Sequence, residues 1–435
     1  MKTTLHSFIE TIEIDLIKKR RELHEYPELG FTEYVTTYKV GSELEKLGFT
    51  LSIGKDSLVG HSRLGMPSEA YLKENENRAR DMGVPEEWMQ KMIGGHTGLV
   101  AQLDTGKPGK HIAMRFDIDA LPIFEASDQQ HFPYKEGFQS KREGVMHSCG
   151  HDGHAVIGIG VAMFLDQFKD LLSGRFTLLF QPAEEGGRGA KPMVEKGWLD
   201  DVDYFLSGHI GIHSLPVGNI AATTTKFLAS TKYNVVYKGK SAHAGLEPNE
   251  GRNALLAASS ASLHLNGITR HADGATRVNV GKLEAGTGRN IIADYARLEI
   301  ETRGETTALS DYMREEALRI LKTTPILYDV KEEIEIVGFA PSAECNQDWI
   351  NMIESACSNS ERITNVIPVL PLGASEDVTF MLEHVQKMGG LSTYLVFASP
   401  LPAGHHHPSF DFDEKVLATA VDALARIILE IANRD

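Results

Sequence analysis

Cysteine is scarce in this sequence, with three in 435 residues, at positions 149, 345 and 357. So sparse and odd a set excludes a disulfide-stapled scaffold and points to a reducing compartment. Positive charge is also in deficit: Lys and Arg total 44 against 60 Asp and Glu, a formal net charge of −16. Such a surface repels phosphate backbones and anionic headgroups, so neither nucleic acid nor a membrane is expected as a partner. A small positive pocket for an acidic small molecule remains compatible with it. Long hydrophobic runs are missing too. The longest, Ala155 to Leu165, falls well short of the roughly 18 residues of a membrane span. Near the N-terminus, Leu5, Phe8, Ile9, Ile12 and Leu16 are spaced for an amphipathic helix, and Glu10, Glu13 and Asp15 interrupt any apolar signal region. A cytoplasmic protein is the expectation. No internal repeat, heptad array or low-complexity tract occurs, which excludes solenoids and coiled coils.

What is present reads as α/β. At about 150 residues per domain the length allows two or three domains, and 42% hydrophobic with 24% charged residues is the balance of a folded protein. His111 to Phe116 and Arg175 to Phe180 are near-continuous apolar runs of the kind buried parallel strands have, separated by helical spacing over Ala155 to Asp170. From about Lys226 the texture changes to alternating strands at 232–237, 277–283, 296–303 and 332–337, with helical patterns at 253–266 and 309–321. That order predicts a ferredoxin-like α+β unit. After Gly338 the α/β texture returns, with a strand at 392–397 and an amphipathic helix at 413–432. The expected architecture is therefore a larger α/β domain, 1–225 and 340–435, with a smaller ferredoxin-like domain, 226–339, inserted in it. A further tract at about 55–96, rich in Glu, Arg, Asn and Met, has helical spacing and either decorates the surface or rims a site.

Chemistry concentrates at His147-Ser148-Cys149-Gly150-His151-Asp152-Gly153-His154, with one thiol, three imidazoles and a carboxylate in eight residues. Were the backbone extended there, Cys149 and His151 would face one side and reach one metal ion together. Asp152 is a candidate to orient an imidazole. Beyond the strand ending at Phe180 comes Gln181-Pro182-Ala183-Glu184-Glu185-Gly186-Gly187. Paired carboxylates at a strand's C-terminal end, where α/β sheets place ligands, can take different roles. Ser207-Gly208-His209-Ile210 and Gly404-His405-His406-His407-Pro408 add further imidazoles.

These motifs, in this order and spacing, resemble the amidohydrolase branch of the dinuclear-metal aminoacylase and glutamate carboxypeptidase family, over nearly the whole chain from Arg21-Glu22-Leu23-His24 to Phe410-Asp411-Phe412-Asp413-Glu414. The tract before Gly98 and the segments Val202-Asp203-Tyr204-Phe205 and Gly404-His405-His406 resemble the subgroup acting on p-aminobenzoyl-glutamate. The resemblance implies two divalent ions per subunit, zinc or manganese, with cobalt or nickel as alternatives. It makes Cys149, His151, Glu185, His209 and His406 the ligands, Cys149 a candidate bridge, and Glu184 the general base. His243, in Gly239-Lys240-Ser241-Ala242-His243, would reach the site of a partner subunit, and Asn290 with Arg289 would help bind substrate. The inserted domain would then serve as lid and dimerisation unit, in a homodimer or with a paralogous subunit.

The resemblance implies hydrolysis of an N-acyl amino acid, most specifically p-aminobenzoyl-glutamate. Other N-acyl or aryl conjugates are the alternative within the enzyme class, and a silent metal-binding regulatory subunit the alternative outside it. Three positions depart from the family pattern or leave a choice. His213 competes with His209 in a stretch one residue longer than usual, and His405 and His407 flank His406. Arg115-Phe116-Asp117 replaces a His-x-Asp, so neither Arg115 nor Asp117 is assigned as a ligand, and Asp119 is read as a group behind the ligands. Cys345 and Cys357 read as packing thiols.

Overall fold

A computed structural model describes residues 2–432. Its strands, in chain order, are β1 (Thr50–Ile53), β2 (Leu99–Asp104), β3 (His111–Asp117), β4 (Arg175–Gln181), β5 (Tyr204–Gly211), β6 (Asn219–Thr225), β7 (Ala229–Lys238), β8 (Thr276–Ala285), β9 (Tyr295–Gly304), β10 (Lys331–Ala340), β11 (Asn365–Pro371) and β12 (Leu391–Ala398). Eight of them form one mixed sheet in the order β1-β2-β4-β3-β5-β12-β6-β11. Its centre is parallel, β4 beside β3, β3 beside β5 and β5 beside β12, and all seven residues of β3 are buried. The apolar runs of β3 and β4 are thus the signature of strands covered on both faces.

The covering layer includes helix His151–Phe168, which contacts the first helix, Lys2–His24, and the last, Lys415–Ala432. Leu5, Ile9, Ile12 and Leu16 of the first helix lie buried in the same core as Val416, Val421, Leu424 and Ile428 of the last. Among the described residues, no helix is long and apolar enough to cross a membrane.

The remaining four strands form a second, antiparallel sheet in the order β10-β7-β9-β8. Helix Ala254–Asn266 connects β7 to β8 and helix Thr307–Tyr328 connects β9 to β10, which is ferredoxin-like topology with its own core of Tyr233, Val235, Leu298, Met313 and Leu321. The strand alternation of β9, with buried residues at every second position along most of its length, shows why its period of two was readable.

The tract before β2 folds as two helices, Glu69–Asp81 and Glu86–Met92. Trp88, Met89 and Met92 are buried, and the Trp88 indole meets Tyr38 edge-on at 5.2 Å between centroids. Arg142 donates to Tyr71 Oη at 2.9 Å and to Asn75 Oδ1 at 2.6 Å, and Arg78 pairs with Glu28. The tract is thereby tied into the core as well as covering its surface.

Candidate metal centre

The chemistry-bearing residues converge at the carboxyl ends of the parallel strands. Asp117 ends β3 and Asp119 follows it; Glu184 and Glu185 follow β4; His209 lies in β5; the 404–408 loop follows β12. Cys149 and His151 precede and open helix His151–Phe168, with Gly150 between them at φ +89°. The extended backbone expected from the spacing is therefore not adopted here. A left-handed glycine turns the chain from loop to helix and brings the two side chains round by that turn.

Cys149 Sγ lies 3.4 Å from His209 Nε2 and 3.8 Å from His405 Nδ1. The far nitrogen of His209, Nδ1, is 2.7 Å from the Ile210 carbonyl, so it carries the proton and leaves Nε2 with its lone pair towards the thiol. His151 Nδ1 is 3.1 Å from Asp119 Oδ1, while Glu185 N donates to Asp119 Oδ2 at 3.0 Å. One buried carboxylate thus fixes an imidazole and the backbone of the Glu pair together. His406 N donates to Ser148 O at 2.8 Å, which ties the triple-histidine loop to the Cys149 loop. His406 Nε2 comes within 3.2 Å of Glu185 Oε1.

The donor atoms of Cys149, His151 and His209 lie within 4.8 Å of one another, as do those of Cys149, Glu185 and His406, and those of His151, Glu184 and Glu185. His151 Nε2 and Glu185 Oε1 are buried without a well-formed hydrogen bond. Buried polar atoms left in that state are costly, and a thiolate, imidazole and carboxylate set aimed at shared space suits a divalent transition metal. The residues present fit two such ions, with Cys149 common to two of the donor groups. In a fourth group, Asp117 with His151 and His154, the donors of Asp117 and His154 are already engaged. Asp117 holds His154 Nδ1 at 2.5 Å and Arg115, and His154 Nε2 accepts from Ile210 N at 2.9 Å.

The electrostatics separate the adjacent carboxylates. Burial, with Glu376, Glu185 and Asp377 close by, pushes Glu184 well above the usual carboxylate range. For Glu185, burial acts the same way but is outweighed by His406 and His151, which hold it low. Burial also lowers His209, next to His154 and His405.

His213 and His407 stand apart from the cluster. His213 is exposed with Nε2 2.6 Å from the Pro371 carbonyl, and His407 Nδ1 accepts from Ser409 N. His405 is a neighbour of Cys149, its ring centroid 4.9 Å from that of His209 and 4.8 Å from that of Phe410. His243, Arg289 and Asn290 lie in the four-stranded unit and are exposed or nearly so. There His243 Nδ1 accepts from Gly245 N and Leu246 N, and the Asn290 carbonyl accepts from Ala244 N. Within one chain they are not brought to the metal donors.

Asp152 does orient an imidazole, but that of His24, at 2.8 Å, and it pairs with Arg20 at 2.8 Å. Arg20 also reaches Asp411 at 2.7 Å and Glu414 at 3.4 Å, so the first helix, the metal-site helix and the segment before the last helix meet in one buried ion network. Glu376 and Asp377 carry no signal in the sequence. Asp377 accepts from Gln181 Nε2, Gly189 N and Ala190 N at 2.9–3.0 Å and from Arg115 Nη2 at 3.2 Å, clamping both ends of the loop that carries Glu184 and Glu185. Glu33, pushed up to about 8 by burial and by Asp119, accepts from Ala183 N at 2.8 Å in the same loop.

Donors of this kind at the carboxyl edge of such a sheet are the arrangement expected of a metal-dependent hydrolase of the metallopeptidase class. Within that class the protein belongs to peptidase family M20/M25/M40, whose model matches residues 113–430. The chain is 43% identical to the indole-3-acetyl-aspartic acid hydrolase of Enterobacter agglomerans, with 97% of each chain covered. It is 42% identical to a subunit of the p-aminobenzoyl-glutamate hydrolase of Escherichia coli K12, with 98% of each covered. Its fold matches the crystal structure of the aminobenzoyl-glutamate utilization protein from Klebsiella pneumoniae with a TM-score of 0.85, at 37% identity and 98% coverage of both chains.

Proposed function

We propose that this chain hydrolyses the amide bond of p-aminobenzoyl-glutamate, releasing p-aminobenzoate and glutamate. The observation that carries the reading is Glu184, a buried carboxylate set among the Cys149, His151, Glu185, His209 and His406 donors. Two divalent ions, zinc or manganese, held by those five residues would supply Lewis acidity to the scissile carbonyl and lower the pKa of the attacking water. Glu184 takes the proton from that water as its oxygen adds to the carbonyl carbon. It then returns the proton to the amide nitrogen as the carbon–nitrogen bond breaks, leaving a carboxylate and an amine. Asp119 keeps His151 and the Glu185 backbone in place throughout. His243 from a second subunit would complete the oxyanion's surroundings, with Asn290 and Arg289 binding the amino-acid portion. A dimeric assembly, of two such chains or with a paralogous subunit, belongs to this reading. So do a division into 1–225 with 340–435 and 226–339, and a cytoplasmic setting that suits three free cysteines.

A second reading, hydrolysis of another acyl conjugate of an acidic amino acid, is favoured by the relative named for indole-3-acetyl-aspartate. A panel of p-aminobenzoyl-glutamate, indole-3-acetyl-aspartate and N-acetyl amino acids, assayed with metal-reconstituted protein, separates the two. The highest kcat/KM should belong to p-aminobenzoyl-glutamate. A preference for simple N-acetyl amino acids would overturn the substrate, and no hydrolysis of any member would overturn the function.

A further inference from the structure

We propose that Arg63 and Arg188 form a receptor for the side-chain carboxylate of a dicarboxylic amino-acid conjugate, an inference that rests on the amidohydrolase reading of the adjoining site. Arg188 follows the Glu pair and is held against it, with Nε donating to the Glu185 carbonyl at 2.8 Å and Nη1 to the Gly65 carbonyl at 3.1 Å. Arg63, from the tract before β2, donates from Nε to Gly60 O at 3.0 Å and from Nη1 to Gly94 O at 2.7 Å and Gly95 O at 2.6 Å. The two guanidinium carbons lie 5.5 and 5.7 Å from the centre of the same ring, Phe31.

Neither arginine has a carboxylate partner among the described residues, and neither Nη2 has a hydrogen-bond partner there. The buried Arg20 and Arg115 are each neutralised by two or more carboxylates. Two uncompensated, half-buried guanidiniums stacked on one ring, one of them held against Glu185, are unusual in a chain of net charge −16, whose field opposes the approach of a dianion. Their backbone anchors fix both guanidiniums before any ligand arrives and leave Nη2 of each as a charged donor for a carboxylate oxygen.

Space for Arg188 is made by glycines. A Cβ on Gly30 would fall 2.4 Å from Arg188 Nη2, and one on Gly65 3.1 Å from its Cδ. Phe31, fully buried, adopts φ +64°, a conformation unfavourable to a bulky residue and of the kind retained where a site over-determines it. Because Arg63 comes from the tract and Arg188 from the loop after β4, the receptor explains what the tract contributes to the site.

The test compares p-aminobenzoyl-glutamate with p-aminobenzoyl-alanine, which keeps the amide and the α-carboxylate but lacks the second acid. With metal-loaded wild type, Arg188→Gln and Arg63→Gln, the glutamate-to-alanine ratio of kcat/KM should fall roughly tenfold or more in each variant, chiefly through KM. A structural role, or a role in holding the α-carboxylate, would reduce both substrates alike, and an unchanged ratio overturns the proposal. Should Arg188→Gln lose its bound metal or its fold, Arg63→Gln decides, since its anchors lie outside the Glu184 loop. If the wild type hydrolyses neither conjugate, the amidohydrolase reading itself fails. If it hydrolyses both and the ratio survives the variants, only the arginine receptor fails.

Discussion

Asp119→Asn is a one-atom change whose consequence follows from two hydrogen bonds. Both carboxylate oxygens of Asp119 are used, Oδ1 by His151 Nδ1 at 3.1 Å and Oδ2 by Glu185 N at 3.0 Å, in a residue that is 1% exposed. Asparagine fills the same space but offers one acceptor and one donor. Whichever way the amide turns, an NH2 group faces either the imidazole N–H or the backbone N–H. One charge-assisted bond is lost, a cost of about 1.5–3 kcal/mol. If the His151 bond is lost, the imidazole is free to rotate away from its neighbours; if the Glu185 bond is lost, the loop after β4 loosens. Either route reaches a proposed metal ligand, so divalent-ion affinity should weaken about 10- to 100-fold, the range for groups that orient ligands from behind. Competition against a fluorescent chelator measures this directly, with circular dichroism to show that the fold is kept. A folded Asp119→Asn protein that binds metal within about twofold of wild type, well short of that range, would refute the reasoning.

The carboxylate pair should divide its roles under mutation. Glu184→Gln should keep its metal but lose turnover by roughly 100-fold or more, whereas Glu185→Gln should lose metal; equal metal loss in both would show the roles wrongly divided. If His243 serves a partner's site, mixing inactive His243→Ala with inactive Glu184→Gln protein under subunit exchange should restore activity in the hybrids, and proven hybrids without activity would place His243 in its own subunit's site or outside catalysis. For His24, burial alone would lower the pKa, but hydrogen bonds to Asp152 and Glu125 raise it from 6.5 to about 9. A raised cationic pKa stabilises the fold fully below about pH 6.5, and that contribution is lost as pH rises towards 9. The shift corresponds to roughly 3 kcal/mol, so the destabilisation caused by His24→Ala should be larger by about that amount near pH 6 than near about pH 9.5. Urea unfolding at both pH values measures it, and a deficit that does not shrink with pH would contradict the assignment.

The parts of this molecule legible in its sequence are those with a local signature. The apolar runs of β3 and β4 and the alternation of β9 follow from burial on two faces or one, and the density of donors around Cys149 and His151 marks the candidate site by itself. The turn between those two residues was not legible, because it depends on Gly150 taking φ +89° and not on spacing. Glu376 and Asp377 carry no local signature, since the meaning of Asp377 lies in Gln181, 196 residues away in sequence. The same holds for Arg20 and Asp411, separated by 391 residues. The Phe410 to Glu414 segment marks the family, but its service as a counter-charge to the first helix appears only in three dimensions. Arg63 reads as one more charge in a polar tract, and only its place against Phe31 and Arg188 distinguishes it.

In the proposed mechanism, paired ions held by Cys149, His151, Glu185, His209 and His406 make this chain an amidohydrolase. Metal-stripped protein should be titrated with zinc or manganese while bound metal and release of p-aminobenzoate from p-aminobenzoyl-glutamate are followed together. Two ions per chain should be taken up, with hydrolysis rising as they bind, and both should be lost on Cys149→Ala. Hydrolysis by the metal-free protein, or full metal occupancy in Cys149→Ala, would contradict that mechanism.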